Sequence, residues 1–147
     1  MKVRTGSVLA LVFGVLVAGS LLLGTGERHG AASAVTWEPS VGHALAKASA
    51  EGKLVMVDFY TDWCRWCRRL DETTLADPQV GATLREGFVA VRLNAEAEGK
   101  EEADRFGVDS YPTLVFLDSR GQEVYRISGY LEPRDFLAEL SNVRAKS

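Results

Sequence analysis

The sequence predicts an α/β domain, a mixed central sheet with helices on both faces, preceded by an apolar N-terminal leader or anchor helix. Three observations predict it. Continuous apolar runs of strand length, Leu54–Tyr60, Phe88–Asn94 and Thr113–Leu117, alternate with stretches of helical periodicity. The early strands are joined through helices, which implies parallel pairing, and the last two are joined by a tight turn, which implies an antiparallel hairpin. Residues 1–34 carry a composition of their own, nearly uncharged and apolar.

In that first stretch Lys2 and Arg4 precede an uncharged run over residues 5–26, densest over 8–23. A positive start followed by an apolar segment reads as a secretory signal. Ala32-Ser33-Ala34 offers a small-x-small pattern for cleavage after Ala34. The run is also about 20 residues, long enough for a helix to span a bilayer, so an uncleaved single-pass anchor is the other reading. Either way Lys2 and Arg4 stay inside and the rest lies outside the cytoplasm. The expected organisation is a leader or anchor over 1–34 and one domain over 35–147.

The whole chain holds 17 basic and 20 acidic residues; without Lys2, Arg4, Arg28 and Glu27 the domain keeps 14 and 19, a net charge of −5. That balance carries no footprint for nucleic acid and no attraction to an anionic membrane surface. The 46% apolar content is that of a globular chain, which excludes disorder.

Along the domain, residues 35–37 are a short strand candidate. Pro39 and Ser40 open a helix with Val41, Ala44, Leu45 and Ala48 on its apolar side, stopping at Gly52. Leu54–Tyr60 is apolar except for Asp58, the pattern of a central strand covered on both faces. Thr61-Asp62-Trp63 makes a turn, and a helix is expected from about Cys64 towards Leu75. Asp77-Pro78 restarts a short helix with Val80 and Leu84 inward. After Phe88–Asn94, an acidic helical stretch over 96–106 ends at Gly107. Tyr111-Pro112 leads into Thr113–Leu117, and Asp118-Ser119-Arg120-Gly121 turns the chain into Glu123–Ser128. Gly129 breaks that strand, and Pro133 opens a last helix with Phe136, Leu137 and Leu140 inward.

The chain has two cysteines, in Cys64-Arg65-Trp66-Cys67, directly after a strand and at a helix start. Residues i and i+3 on a helix are neighbours, so the sulfurs bond with little backbone movement. Unpaired N–H groups and the helix dipole favour a thiolate at Cys64, and Arg65 and Arg68 add positive charge. Cys64 is therefore expected to be partly exposed and nucleophilic. Cys67, one turn in, is the expected resolving thiol. A zinc site needs about four ligands, and only His43 and His29 accompany the cysteines. A Cu(I) carrier using two thiolates stays open, whereas a structural disulfide over this spacing would constrain almost no chain entropy.

The residues Val57-Asp58-Phe59, Asp62-Trp63-Cys64-x-x-Cys67, Tyr111-Pro112-Thr113 and Gly129 resemble those of the thioredoxin family, over nearly all of 35–147. The Asp62-Trp63-Cys64 start, the segment after it and the export signal are most similar to the C-terminal periplasmic domain of bacterial transmembrane thiol:disulfide interchange proteins. Small thioredoxin-like envelope proteins are equally close. The resemblance implies a thioredoxin fold in the bacterial periplasm or on the outer face of the inner membrane. The Arg65-Trp66 pair departs from the Gly-Pro of thioredoxin itself, which leaves the direction of electron flow open.

Burial inside an apolar strand raises the pKa of Asp58, and the resemblance implies that it accepts a proton from Cys67. Arg92 stands where a thioredoxin has a lysine; pairing with Asp58 would hold that carboxylate ionised, and a solvated strand position is the alternative. Pro112 is implied to be cis and to lie against the dithiol, with the Tyr111 backbone pairing to an extended substrate segment. Trp63 is expected to shield the dithiol and touch partners, and Trp66 to be an exposed contact residue. Glu96, Glu98, Glu101, Glu102 and Asp104 read as a solvated helix face, and His43 as a surface residue.

The expected function is that of an exported thiol–disulfide oxidoreductase that reduces protein disulfides through a mixed disulfide and is recharged by a membrane or soluble dithiol donor. No metal or organic cofactor is expected. The alternatives are a disulfide-forming oxidase or isomerase and, in a different class, a Cu(I) metallochaperone or a non-catalytic binding module.

Overall fold

The computed structural model describes residues 34–147. The readings on Lys2, Arg4, the run over 5–26 and the first residues of the cleavage pattern lie outside the described residues. Among the described residues no helix is long and apolar enough to cross a membrane.

Ten elements follow one another: β1 (Trp37–Glu38), α1 (Val41–Glu51), β2 (Leu54–Tyr60), α2 (Arg65–Glu72), α3 (Pro78–Gly87), β3 (Phe88–Asn94), α4 (Lys100–Arg105), β4 (Thr113–Leu117), β5 (Glu123–Ser128) and α5 (Pro133–Lys146). The boundaries of α1 and α3 follow from side-chain caps. The Ser40 hydroxyl accepts from the His43 amide at 3.2 Å, and Asp77 Oδ1 accepts from the amides of Gln79 and Val80 at 2.8 and 3.0 Å, with Pro78 opening α3. Gly52 closes α1 at φ +65, a left-handed conformation that costs a residue with a side chain more than glycine.

The sheet order is β1-β3-β2-β4-β5. β1 and β2 run parallel to β3, while β4 is antiparallel to both β2 and β5. The helix link between β3 and β4 therefore does not yield a parallel pair: after α4 the chain enters the sheet on the far side of β2, in the opposite direction.

Side-chain alternation along the strands builds two cores. Val55, Val57 and Phe59 face one side, packed with Ala44 and Ala48 of α1 and with Leu117. Met56 faces the other, packed with Leu70 of α2, Phe116 of β4 and Phe136 of α5. By the same alternation Asp58 shares the face of Met56, the face that α2 covers.

Three elements differ in extent from the sequence expectation, and one helix differs in its inward face. The first strand is Trp37–Glu38 rather than 35–37. α2 begins after Cys64, which caps it, and ends at Glu72; beyond that end the Thr73 hydroxyl donates to the Arg69 carbonyl and the Thr74 hydroxyl to the Leu131 carbonyl. The acidic helix shrinks to Lys100–Arg105. Asn94 Oδ1 takes the Glu96 amide at 3.0 Å and the Glu98 carboxylate takes the Asn94 amide at 2.8 Å, which holds the preceding residues in a turn. In α5 the inward residues are Phe136, Leu140 and Val143, with Leu137 half-buried.

Candidate active site

The dithiol sits where β2 hands the chain to α2. Cys64 is the N-cap of α2, in extended conformation, and its Sγ accepts a hydrogen bond from the Cys67 amide at 3.0 Å. The first amides of a helix have no partner within it; here one of them is aimed at a sulfur. Cys64 and Cys67 are joined in a disulfide with their Cα atoms 5.3 Å apart. The expected partial exposure of Cys64 is corrected: in this oxidised state it is 4% exposed and Cys67 2%. The Cys64 sulfur lies against the first turn of α2, where it meets the Cys67 amide.

The cations of α2 are exposed. The Arg65 guanidinium lies 5.7 Å above the Trp66 ring centroid, and Arg68 donates to the Asp62 carbonyl at 3.2 Å. Charge that Arg65 adds near Cys64 is therefore screened by solvent.

Beneath α2, Asp58 is completely buried and Arg92 is its register partner on β3. The sheet register thus sets the two side chains next to each other on one face. Arg92 Nε lies 3.3 Å from Asp58 Oδ2, and Arg92 Nη2 donates to Asp71 Oδ2 at 2.8 Å. The guanidinium is flanked by the rings of Tyr60 and Trp37, at 4.4 and 5.6 Å. Neither Asp58 oxygen accepts a hydrogen bond, and Arg92 Nε makes none. Burial pushes the Asp58 carboxyl up from 3.8 to about 7; the Arg92 charge opposes that rise and the Asp71 charge adds to it. The sequence reading named Asp58 and Arg92 but missed Asp71. The available signal was its place four residues after Cys67 on α2, one turn along the same helix face.

In the loop before β4, the Tyr111–Pro112 bond is cis. The Pro112 carbonyl accepts from the Gly129 amide at 2.8 Å, and the Thr113 hydroxyl donates to the Ser110 carbonyl at 2.8 Å. The Tyr111 ring meets Trp63 edge-on at 5.9 Å, which joins this loop to the turn before Cys64. Trp63 Nε1 donates to both oxygens of Glu96, at 3.1 and 3.0 Å. Trp66 stacks on Tyr130 at 5.6 Å. Among the described residues Trp63 and Trp66 are the large hydrophobic side chains left exposed, at 65% and 52%. Glu96 and Glu98 therefore do more than solvate a helix face: they hold Trp63 and the turn after β3. Glu96 and Tyr130 were missed as partners of the two tryptophans, since nothing in local spacing links them. His43 is exposed, beside Glu38 at 3.0 Å.

Among the described residues no group of three or more His, Cys, Asp or Glu is arranged to hold a metal ion.

A C-x-x-C pair capping a helix after a central strand, a cis-proline loop whose tyrosine meets the turn before that pair and a buried carboxylate on the face the helix covers are the marks of the thioredoxin-fold thiol–disulfide oxidoreductases. The chain belongs to the thioredoxin-like domain family, whose model matches residues 41–144. It is 36% identical over 104 residues to the thiol:disulfide interchange protein DsbD of Tatumella citrea, covering 67% of this chain and 18% of that protein. It is 32% identical over 127 residues to DsbD 2 of Pseudomonas aeruginosa, covering 83% and 22%. The chain thus spans less than a quarter of the length of these relatives. A thioredoxin from Thermus thermophilus superposes with a TM-score of 0.69 at 36% identity, covering 77% of this chain and 89% of that one. The oxidised C-terminal domain of DsbD from Neisseria meningitidis shares the fold, with a TM-score of 0.56 at 22% identity over 70% of this chain and 89% of that domain.

Proposed function

We propose that this chain works outside the cytoplasm, in the periplasm or on the outer face of the inner membrane, as a thiol–disulfide oxidoreductase that reduces protein disulfides. The observation that carries the oxidoreductase reading is the Cys67 amide donating to Cys64 Sγ at the start of α2; the reducing direction rests on the resemblance to the interchange proteins. A donor in that place lowers the energy of a thiolate and so makes Cys64 the nucleophile. Support for export comes from the pattern of residues 1–34 and from the interchange-protein relatives. Support for a domain beginning near residue 35 comes from Ala34, whose amide donates to the Leu75 carbonyl at 3.1 Å, and from the buried Val35 after it.

In the reduced form the Cys64 thiolate attacks one sulfur of a client disulfide. A Cys64–client bond forms, the client bond breaks, and the second client sulfur leaves as a thiolate that takes a proton from water. Cys67 then gives its proton to the Asp58 carboxylate and attacks Cys64 Sγ. The Cys64–Cys67 bond forms, the mixed disulfide breaks, and the client leaves with both sulfurs reduced. Two electrons have passed from the dithiol to the client. A membrane or soluble dithiol returns them.

The same Cys67 amide favours a second reading. Stabilising the thiolate stabilises the reduced form and makes the disulfide more oxidising, as in an oxidase or isomerase. Equilibrating the full chain with glutathione and dithiothreitol buffers separates the two. A potential near about −270 mV supports the reductase and one near about −120 mV the oxidase. No reversible two-electron transition would overturn both.

A further inference from the structure

Beside the dithiol, four exposed or half-buried side chains form one strip. Arg65 lies over Trp66, Trp66 stacks on Tyr130, and Arg69 lies over Tyr130, with separations of 5.7, 5.6 and 5.8 Å. A guanidinium placed over a ring keeps its in-plane N–H groups for a carboxylate, which it takes with two parallel bonds. The nearby carboxylate of Glu132 stands 3.9 Å from Arg69, beyond hydrogen-bonding distance. The Arg65 donors face solvent, Arg69 meets the Tyr130 hydroxyl and an exposed Glu132 carboxylate that a client carboxylate would displace, and the rings between the two arginines offer an apolar floor.

The other side of the dithiol has the opposite character. There the Trp63 indole N–H is already held by Glu96. The domain as a whole carries a net −5, so the strip is a local reversal of its charge. A reversal placed next to the reactive sulfur acts on whatever docks there.

We infer that the Arg65–Trp66–Tyr130–Arg69 strip recognises a client segment that carries carboxylate side chains next to its reactive cysteine. The inference rests on the oxidoreductase reading and names the chemistry of its substrate. The client carboxylates pair with Arg65 and Arg69, and an apolar neighbour lies on Trp66 and Tyr130. Basic segments are disfavoured at the same place.

The test uses the reduced full chain and short peptides whose single cysteine is capped with 2-thiopyridine and flanked by Glu, Lys or Ser. Cys64 attacks the peptide sulfur, the peptide–thiopyridine bond breaks, and the released 2-thiopyridone is followed by absorbance. At low salt the Glu peptide is expected to react about fivefold faster than the Lys peptide, and the ratio to fall towards one in about 0.5 M salt. Arg69→Glu is expected to reverse the order, and Arg69→Gln, which keeps a polar side chain, to bring the ratio near one. Arg120→Glu on the β4–β5 turn, the same charge change away from the strip, is expected to leave the ratio as it was. Equal rates for the Glu and Lys peptides, or a ratio that Arg69→Glu does not move, would overturn the inference. Failure of the oxidoreductase reading looks different: no peptide, the Ser peptide included, would release thiopyridone.

Discussion

Asp58 and Arg92 stand side by side on β2 and β3, Nε to Oδ2 at 3.3 Å, yet neither Asp58 oxygen receives a hydrogen bond. Arg92 spends its hydrogen bond on Asp71, at 2.8 Å. The buried carboxyl therefore feels a positive charge without being clamped by it. Burial outweighs that charge, and Asp58 titrates near about 7, where a group can both take and return a proton at physiological pH.

Kinetics follow from this. The resolving step, read as release of client from the mixed disulfide, is expected to speed up as pH rises through about 7. Asp58→Asn is expected to lose that rise. Stopped-flow measurement across pH 5–9 checks it; an unchanged profile would remove Asp58 from the mechanism.

Stability moves the other way. The folded carboxyl holds its proton up to about 7 and the unfolded one releases it near 3.8, so the folded state binds more protons between these values. Stability therefore falls as pH rises across that window and stays low above it. The interval corresponds to about 4 kcal/mol as an upper figure. Asp58→Asn is expected to be more stable than the natural chain at pH 8 and no more stable at pH 3, by urea unfolding.

Arg92→Met removes the charge that opposes the rise of Asp58. The midpoint of the resolving step is expected to move to higher pH, and the step to slow about tenfold at pH 6.5. Asp71→Asn removes a charge that adds to the rise, so its midpoint is expected to move down. Parallel shifts in the same direction for both variants would show that the pair does not act through Asp58.

The roles proposed for the two cysteines are separable by substitution. Cys67→Ser is expected to accumulate mixed disulfides with client proteins, visible on non-reducing gels, and Cys64→Ser to reduce insulin only at background rate. Trapping by Cys64→Ser instead would reverse the assignment of nucleophile.

The α3 cap gives a purely structural check. Asp77 accepts from two amides, and Asp77→Ala is expected to destabilise the fold by about 1–2 kcal/mol in urea unfolding.

Strands β2 to β5 stand in the sequence with their observed ends, because each is an apolar or alternating run with Lys53, Gly87, Pro112 or Gly129 at one end. The ends of α2 and α4 do not, because side chains there bond to backbone groups that the local pattern does not reveal. Thr74 is tied to the distant Leu131 carbonyl just past one helix, and Asn94 with Glu98 delays the other. The direction of β4 was equally hidden, since a helix link permits either sense.

What the amino-acid order determines alone is local: the cysteines one helical turn apart, Cys64 at the position that meets unpaired amides, and Asp58 inside a strand too apolar to be exposed. These relations span four residues or fewer on either side, so backbone geometry suffices to impose them. The partners of those residues were decided by tertiary structure. Arg92 reaches Asp58 through the register of two parallel strands, Asp71 reaches Arg92 through the seating of α2 on the sheet, and Tyr130 reaches Trp66 through the turn after β5. Each of these distances depends on how separate elements pack, and no local pattern of residue types encodes it.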